Sequence, residues 1–102
     1  MLHLRDLYCF VKVYELRSFS RAADTLDTVQ SLVSARIHRL EELTEARLFN
    51  RLHHSVSPTE QGDMVYRHAT RILQEVAQLE TVCKHRPAVS TVRPLRYKSG
   101  GL

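Results

Sequence analysis

Gln30, Ser31, Ser34, Arg36 and Arg39 crowd hydrogen-bonding side chains into ten consecutive positions. A glutamine amide offers a donor and an acceptor side by side, which matches the two edge groups of an adenine. Serine hydroxyls serve either a base or a phosphate, and guanidinium groups grip phosphate oxygens. The small side chains of Ser31, Ser34 and Ala35 let the backbone itself come close to what is contacted. This is the chemistry of duplex recognition and not of bond making. The residue types that make or break bonds are present but badly spaced. There are six histidines and two cysteines. His53-His54 with Cys83 and His85 is the nearest approach to a zinc set, and no pair in it has metal-ligand spacing on one element. Ser34 and Ser55 have no adjacent base, and there is neither a glycine-rich phosphate loop nor a carboxylate pair with an evident cleft. No enzymatic activity, metal or cofactor is expected. Cys9 and Cys83, with no C-x-x-C spacing, read as reduced thiols used as small hydrophobes.

The 102 residues, 43% hydrophobic and 25% charged, suffice for one small core. No apolar run approaches the roughly 18 residues of a membrane span, and Arg5, Asp6 and Lys12 interrupt any signal peptide, so a cytoplasmic protein is expected. The net charge is +4, but residues 81–102 carry five cations and no acid, which leaves residues 1–80 at −1. Affinity for nucleic acid must therefore come from where the arginines sit, plus what a basic tail adds through counterion release.

The elements that position these groups follow from periodicity. Leu4, Leu7, Tyr8, Phe10, Val11 and Tyr14 recur at three- and four-residue steps, predicting a first helix over residues 2–16. Ser18 and Ser20 offer caps for a short second helix over 21–26, with Ala22, Ala23 and Leu26 packed closely on a neighbour. Thr28 is expected to cap a third over 29–43, with Val33, Ile37, Leu40 and Thr44 on its inner stripe. That orientation leaves Ser31, Ala35, His38, Arg39 and Glu42 outward, with Ser34 and Arg36 on the flanks. Residues 46–59 change to short apolar pairs around a polar tip at His53 to Ser55, which predicts a two-stranded hairpin. Pro58 suits a first helical turn, and Glu60 completes a capping box with Ser57, Thr59 being the competing cap. In the long helix that follows, Val65, Ala69, Ile72, Val76, Leu79 and Cys83 alternate steps of four and three, a heptad seam that asks for a partner. The four cations, two prolines and two glycines beyond His85 predict a disordered tail. Tyr8, Phe10, Tyr14, Phe19 and Phe49 are assigned to the core and not to base stacking, and Glu41, Glu42 and Glu45 to a solvated helix end.

A short helix, a tight turn, a second helix with a small polar front end and a hairpin make a winged helix-turn-helix. The expected fold is mainly α: residues 1–58 form that unit, 59–85 a linker and dimerisation helix, and 86–102 the basic tail. At this point a family is recognisable. Residues 3 to about 82 resemble the amino-terminal DNA-binding domain of LysR-type transcriptional regulators. The resemblance is carried by Phe10-Val11, Ser18-Phe-Ser-Arg-Ala-Ala23, Leu26, Thr28-Val-Gln-Ser31, Ser34-Ala-Arg-Ile37, Arg39-Leu-Glu-Glu42, Arg47-Leu-Phe49, Arg51 and Thr59-Glu-Gln-Gly62. It implies a homodimeric bacterial transcription regulator that sets the third helix of each subunit in successive major grooves of a partly palindromic promoter site. The hairpin tips then touch the minor groove. From the resemblance and the helical wheel together, the DNA-contacting set is Ser20, Arg21, Thr28, Gln30, Ser31, Leu32, Ser34, Ala35, Arg36, His38, Arg39, Arg51, His54 and Ser55. The dimer interface is the seam Val65, Ala69, Ile72, Val76, Leu79 and Cys83.

The chain also departs from the family pattern. His54-Ser55 stands where a basic residue and glycine are common, which predicts a weakened minor-groove contact at neutral pH. Ala35 replaces a frequent arginine, so base readout there is expected to be either lost or shifted to Arg36. Glu45 replaces the glycine after the third helix, predicting a rearranged turn. The larger effector-binding domain of the family is expected to be missing from these residues, and with it any small-molecule effector site. The alternative reading is a short interaction module that pairs with a full-length regulator through the linker helix and modulates it without reading DNA.

Overall fold

A computed structural model describes residues 1–52 and 55–85. The elements run α1 (Leu4–Leu16), α2 (Phe19–Thr25), α3 (Gln30–Thr44), β1 (Phe49–Asn50), β2 (Ser57–Pro58) and α4 (Glu60–His85). The tip residue His54 and the tail 86–102, with the contact and the disorder expected of them, lie outside the described residues.

The inward stripe of α1 supplies Leu7, Phe10, Val11 and Val13, which pack with Phe19, Ala22 and Ala23 of α2 and with Val33, Ile37 and Leu40 of α3. Phe49 of β1 closes one end, its ring 5.2 Å from that of Phe10 and 6.1 Å from that of Phe19. Tyr8 is not in this core. It is 49% exposed, because the inner stripe of α1 passes through Leu7 and Val11 and leaves Tyr8 on its shoulder.

The turns between helices decide how α3 is presented. Arg17 ends α1 in the left-handed region at φ 55°. Ser18 alone then caps α2, its hydroxyl accepting from the Arg21 N–H at 3.1 Å; the helix starts two residues earlier than expected and takes Ser20 into its first turn. Asp27, at φ 56°, reverses the chain. Thr28 does not cap α3. Its N–H donates back to the Ala23 carbonyl at 2.9 Å, which closes α2, and the N-cap falls to Val29 without a side-chain bond. At the other end Glu45 takes the left-handed conformation itself, φ 54°, while Ala46 N–H bonds the Glu41 carbonyl at 3.1 Å. The expected rearrangement is therefore absent. The glutamate adopts the glycine geometry at a cost of roughly 1–2 kcal/mol.

The hairpin is small and antiparallel, with Phe49 opposite Pro58 and Asn50 opposite Ser57. Pro58 lies in β2 and not in the helix, so Thr59 and not Ser57 caps α4. The Thr59 hydroxyl accepts from the Gly62 N–H at 3.0 Å and donates to the Arg47 carbonyl. Glu41 is half-buried and not solvated as expected: it accepts from the Leu48 N–H at 2.9 Å and meets Arg51 at 3.5 Å.

The first half of α4 lies along α1. Ala69 is fully buried there and Val65, Tyr66 and Leu73 are partly so. The predicted seam is thus divided: Ala69 belongs to the protomer's own core, because its methyl is small enough to let α4 approach α1. Tyr14 and Tyr66 stack at 3.8 Å, 7° from parallel. Their hydroxyls donate to Asp63 at 2.7 Å and Glu15 at 2.8 Å, bonds that chiefly raise both phenol pKa values, with desolvation adding to each. A phenol raised in the folded state stabilises fully below its unfolded value of about 10, and the contribution is lost as pH rises through the higher folded value. Urea titrations between about pH 8 and pH 11 should therefore show stability falling at the alkaline end. Tyr14→Phe with Tyr66→Phe should flatten that fall; an equally steep fall in the double variant would assign it elsewhere.

Candidate nucleic-acid interface

Because Val33, Ile37 and Leu40 are pinned inward with no measurable exposure, the outward face of α3 is fixed. Gln30, Ser31, Leu32, Ser34, Ala35, His38 and Arg39 are all exposed and form one strip from the helix start to its middle. Ser20 and Arg21 are exposed on the first turn of α2, and Thr28 is half-buried in the turn between the helices. Ser55 is exposed and donates its hydroxyl to the Leu52 carbonyl at 2.7 Å. Arg51, beyond β1, stacks its guanidinium 4.9 Å from the Phe19 ring centre as well as meeting Glu41. It is held against α2 and α3 by these two partners.

The geometry of the two α3 arginines was not legible in advance. Both turn toward Asp6 of α1: Arg36 Nη1 lies 3.3 Å from Oδ1, and Arg39 Nε lies 3.3 Å from Oδ2. Asp6 is 1% exposed and is the one buried charged side chain among the described residues. A signal existed, since Asp6 falls on the inward stripe one turn before Phe10, where a carboxylate requires a partner. His38 pairs with Glu42 at 3.4 Å in the open. Burial, ahead of the nearby Asp6 charge, raises the Cys9 thiol, while Arg36 opposes them; Cys9 is a buried hydrophobe, as expected. Cys83 is a free, exposed thiol.

Among the described residues no group of histidine, cysteine and acidic side chains is arranged to hold a metal, and no helix is long and apolar enough to cross a membrane.

Two short helices joined by a turn, the second with a small polar outer face, and a two-stranded wing against the base of a long helix define a winged helix-turn-helix domain. Residues 4–63 match the family described as bacterial regulatory helix-turn-helix protein, lysR family, and the chain belongs to that family. These are regulators and not enzymes. The chain is 47% identical over 76 residues to the HTH-type transcriptional regulator CrgA of Neisseria meningitidis, an alignment covering 74% of this chain and 25% of the relative. It is 42% identical over 79 residues to CfxR of Cupriavidus necator, covering 78% and 25%. The chain thus spans about a quarter of the length of these relatives. Among solved structures, the DNA-binding domain of BenM in complex with its catB site 1 DNA superposes with a TM-score of 0.77 at 36% identity, over 80% of this chain and 92% of that one. Full-length BenM gives 0.77 at 36% identity, over 85% of this chain and 29% of that one.

Proposed function

We propose that this chain reads promoter DNA as a homodimer, as a cytoplasmic regulator, through the exposed strip of α3. The observation that carries the reading is the contiguity of that strip. Gln30, Ser31, Ser34 and Ala35 occupy one open surface with side chains short enough for α3 to lie in a major groove, and the exposed Arg21, Arg39 and Arg51 are the cations we assign to backbone phosphates. The complex of the BenM domain with DNA, a relative alike in fold and 36% identical, supports DNA as the partner.

The second half of α4 supports pairing. From the middle of the helix onward Ile72 (42% exposed), Leu79 (63%) and Val82 (57%) are open, an unusual run of large apolar side chains for a solvated helix. Leu4, Tyr8, Leu73, Val76 and Ala77 line a cleft of about 480 Å³ beside them, and a partner's α4 is the occupant that we assign to it. Cys83 falls on the same strip. The interface we propose is therefore Ile72, Val76, Leu79 and Cys83, with Val65 at its margin and Ala69 given to the protomer's own core.

The test is salt-dependent fluorescence anisotropy on the promoter beside the protein's own gene and on a shuffled duplex, using the full chain and a deletion after His85. Sedimentation of the wild type and Leu79→Asp is run alongside. The expected result is a dimer that prefers the promoter, keeps the preference without the tail, and becomes monomeric and weak-binding in Leu79→Asp. Equal weak binding to both duplexes that vanishes with the tail would overturn the reading and leave the interaction module.

A further inference from the structure

Asp6 is the one buried charge among the described residues, and its two oxygens are not used alike. Oδ1 accepts a hydrogen bond from Arg36 Nη1 at 3.3 Å. Oδ2 has no hydrogen-bond partner although Arg39 Nε stands 3.3 Å away: the ions touch, but the N–H is not aimed at the oxygen. The exposures follow. The Arg36 side chain is only 20% exposed, that of Arg39 is 50% exposed, and Leu32, Ala35 and Arg5 form the rest of a shallow cleft over the pair. Arg36 is fixed against α1, while Arg39 is retained by charge alone and keeps its terminal donors free.

We infer that Asp6 is a specificity-determining positioning residue, which holds Arg39 back from phosphates until α3 is seated in register. The inference rests on α3 being the DNA-facing helix. Nonspecific binding is governed by how many cations reach the phosphate backbone, each adding about 0.9 to the slope of log affinity against log salt. An arginine retained by a buried carboxylate is withheld from that count on any sequence. It is released when a phosphate arrives at the fixed position that a correctly docked helix provides, and it then adds its contact to the specific complex alone. A carboxylate that only braced α3 on α1 would affect both complexes equally.

Asp6→Asn keeps the size of the side chain and an acceptor for Arg36 while removing the charge that retains Arg39. Anisotropy titrations on promoter and shuffled duplexes over a range of salt are expected to show the shuffled slope steeper by about 1, with the promoter slope unchanged and the preference for promoter reduced. The steepening should vanish in the Asp6→Asn, Arg39→Gln double variant. An unchanged shuffled slope in folded Asp6→Asn overturns the inference. Should Asp6→Asn fail to fold, Arg39→Gln alone decides: a slope loss of about 1 on the promoter with less than about 0.5 on the shuffled duplex supports it, and equal losses overturn it. A wild type with no promoter preference would instead remove the DNA reading itself.

Discussion

Gly62→Ala should lower the thermal midpoint of the domain by more than about 10 °C. A β-carbon at this position, in the first turn of α4, would lie 2.2 Å from the carbonyl oxygen of Leu48 and 3.3 Å from Cβ of Pro58. The first contact is with backbone, and that backbone cannot swing away. Leu48 is fully buried, its N–H is held by Glu41 at 2.9 Å, and its carbonyl receives the Thr59 N–H at 3.0 Å. Relief requires α4 to move off the wing, and overpacking of this kind costs about 3 kcal/mol. Each kcal/mol is worth roughly 4–8 °C in a domain this small. The sign is informative, because alanine in a helix is otherwise favoured over glycine by roughly 1 kcal/mol. Calorimetry on Gly62→Ala beside Gln61→Ala, an exposed neighbour, would settle it; an unshifted or raised midpoint would mean that α4 is not seated against the wing.

What was readable beforehand divides along a physical line. Local periodicity placed α1, α3 and α4 to within a few residues, because apolar spacing alone decides which side of a helix is wet. The outward face of α3 followed from the same pattern. Caps were harder: Thr28 and Ser57 have capping side chains, but a competing backbone bond to Ala23 and the strand position of Pro58 moved the N-caps to Val29 and Thr59. What stayed hidden was pairing between distant elements. Asp6 with Arg36 spans 30 positions and Tyr14 with Asp63 spans 49, and nothing in a single sequence links such partners. The heptad rule also gave one seam where the structure divides it, since a repeat reports that a stripe is apolar and not what covers it. Ala69 is covered by α1 and Leu79 is left open.

Ser34→Glu is expected to reduce promoter affinity by at least about a hundredfold while leaving stability within about 0.5 kcal/mol. Ser34 is exposed in the middle of the α3 strip, and glutamate is a good helix former there. Its carboxylate would also stand one turn before His38, where an ion pair is neutral or mildly favourable, so no folding defect is expected. On DNA the same side chain replaces a short hydroxyl by a longer group whose charge opposes phosphates and base acceptors alike. Loss of one base-reading contact is worth about 1–3 kcal/mol, and each 1.4 kcal/mol is tenfold, so charge repulsion added to a lost contact reaches two decades. Ser34→Glu is a cleaner probe than any substitution of Arg36, because removing that arginine strips the buried Asp6 carboxylate of its hydrogen bond and mixes a folding effect into the measurement. Ser34→Ala, which removes the hydroxyl without adding charge, should fall between the two. Retained affinity in a folded Ser34→Glu protein would move the DNA-reading surface off α3 altogether.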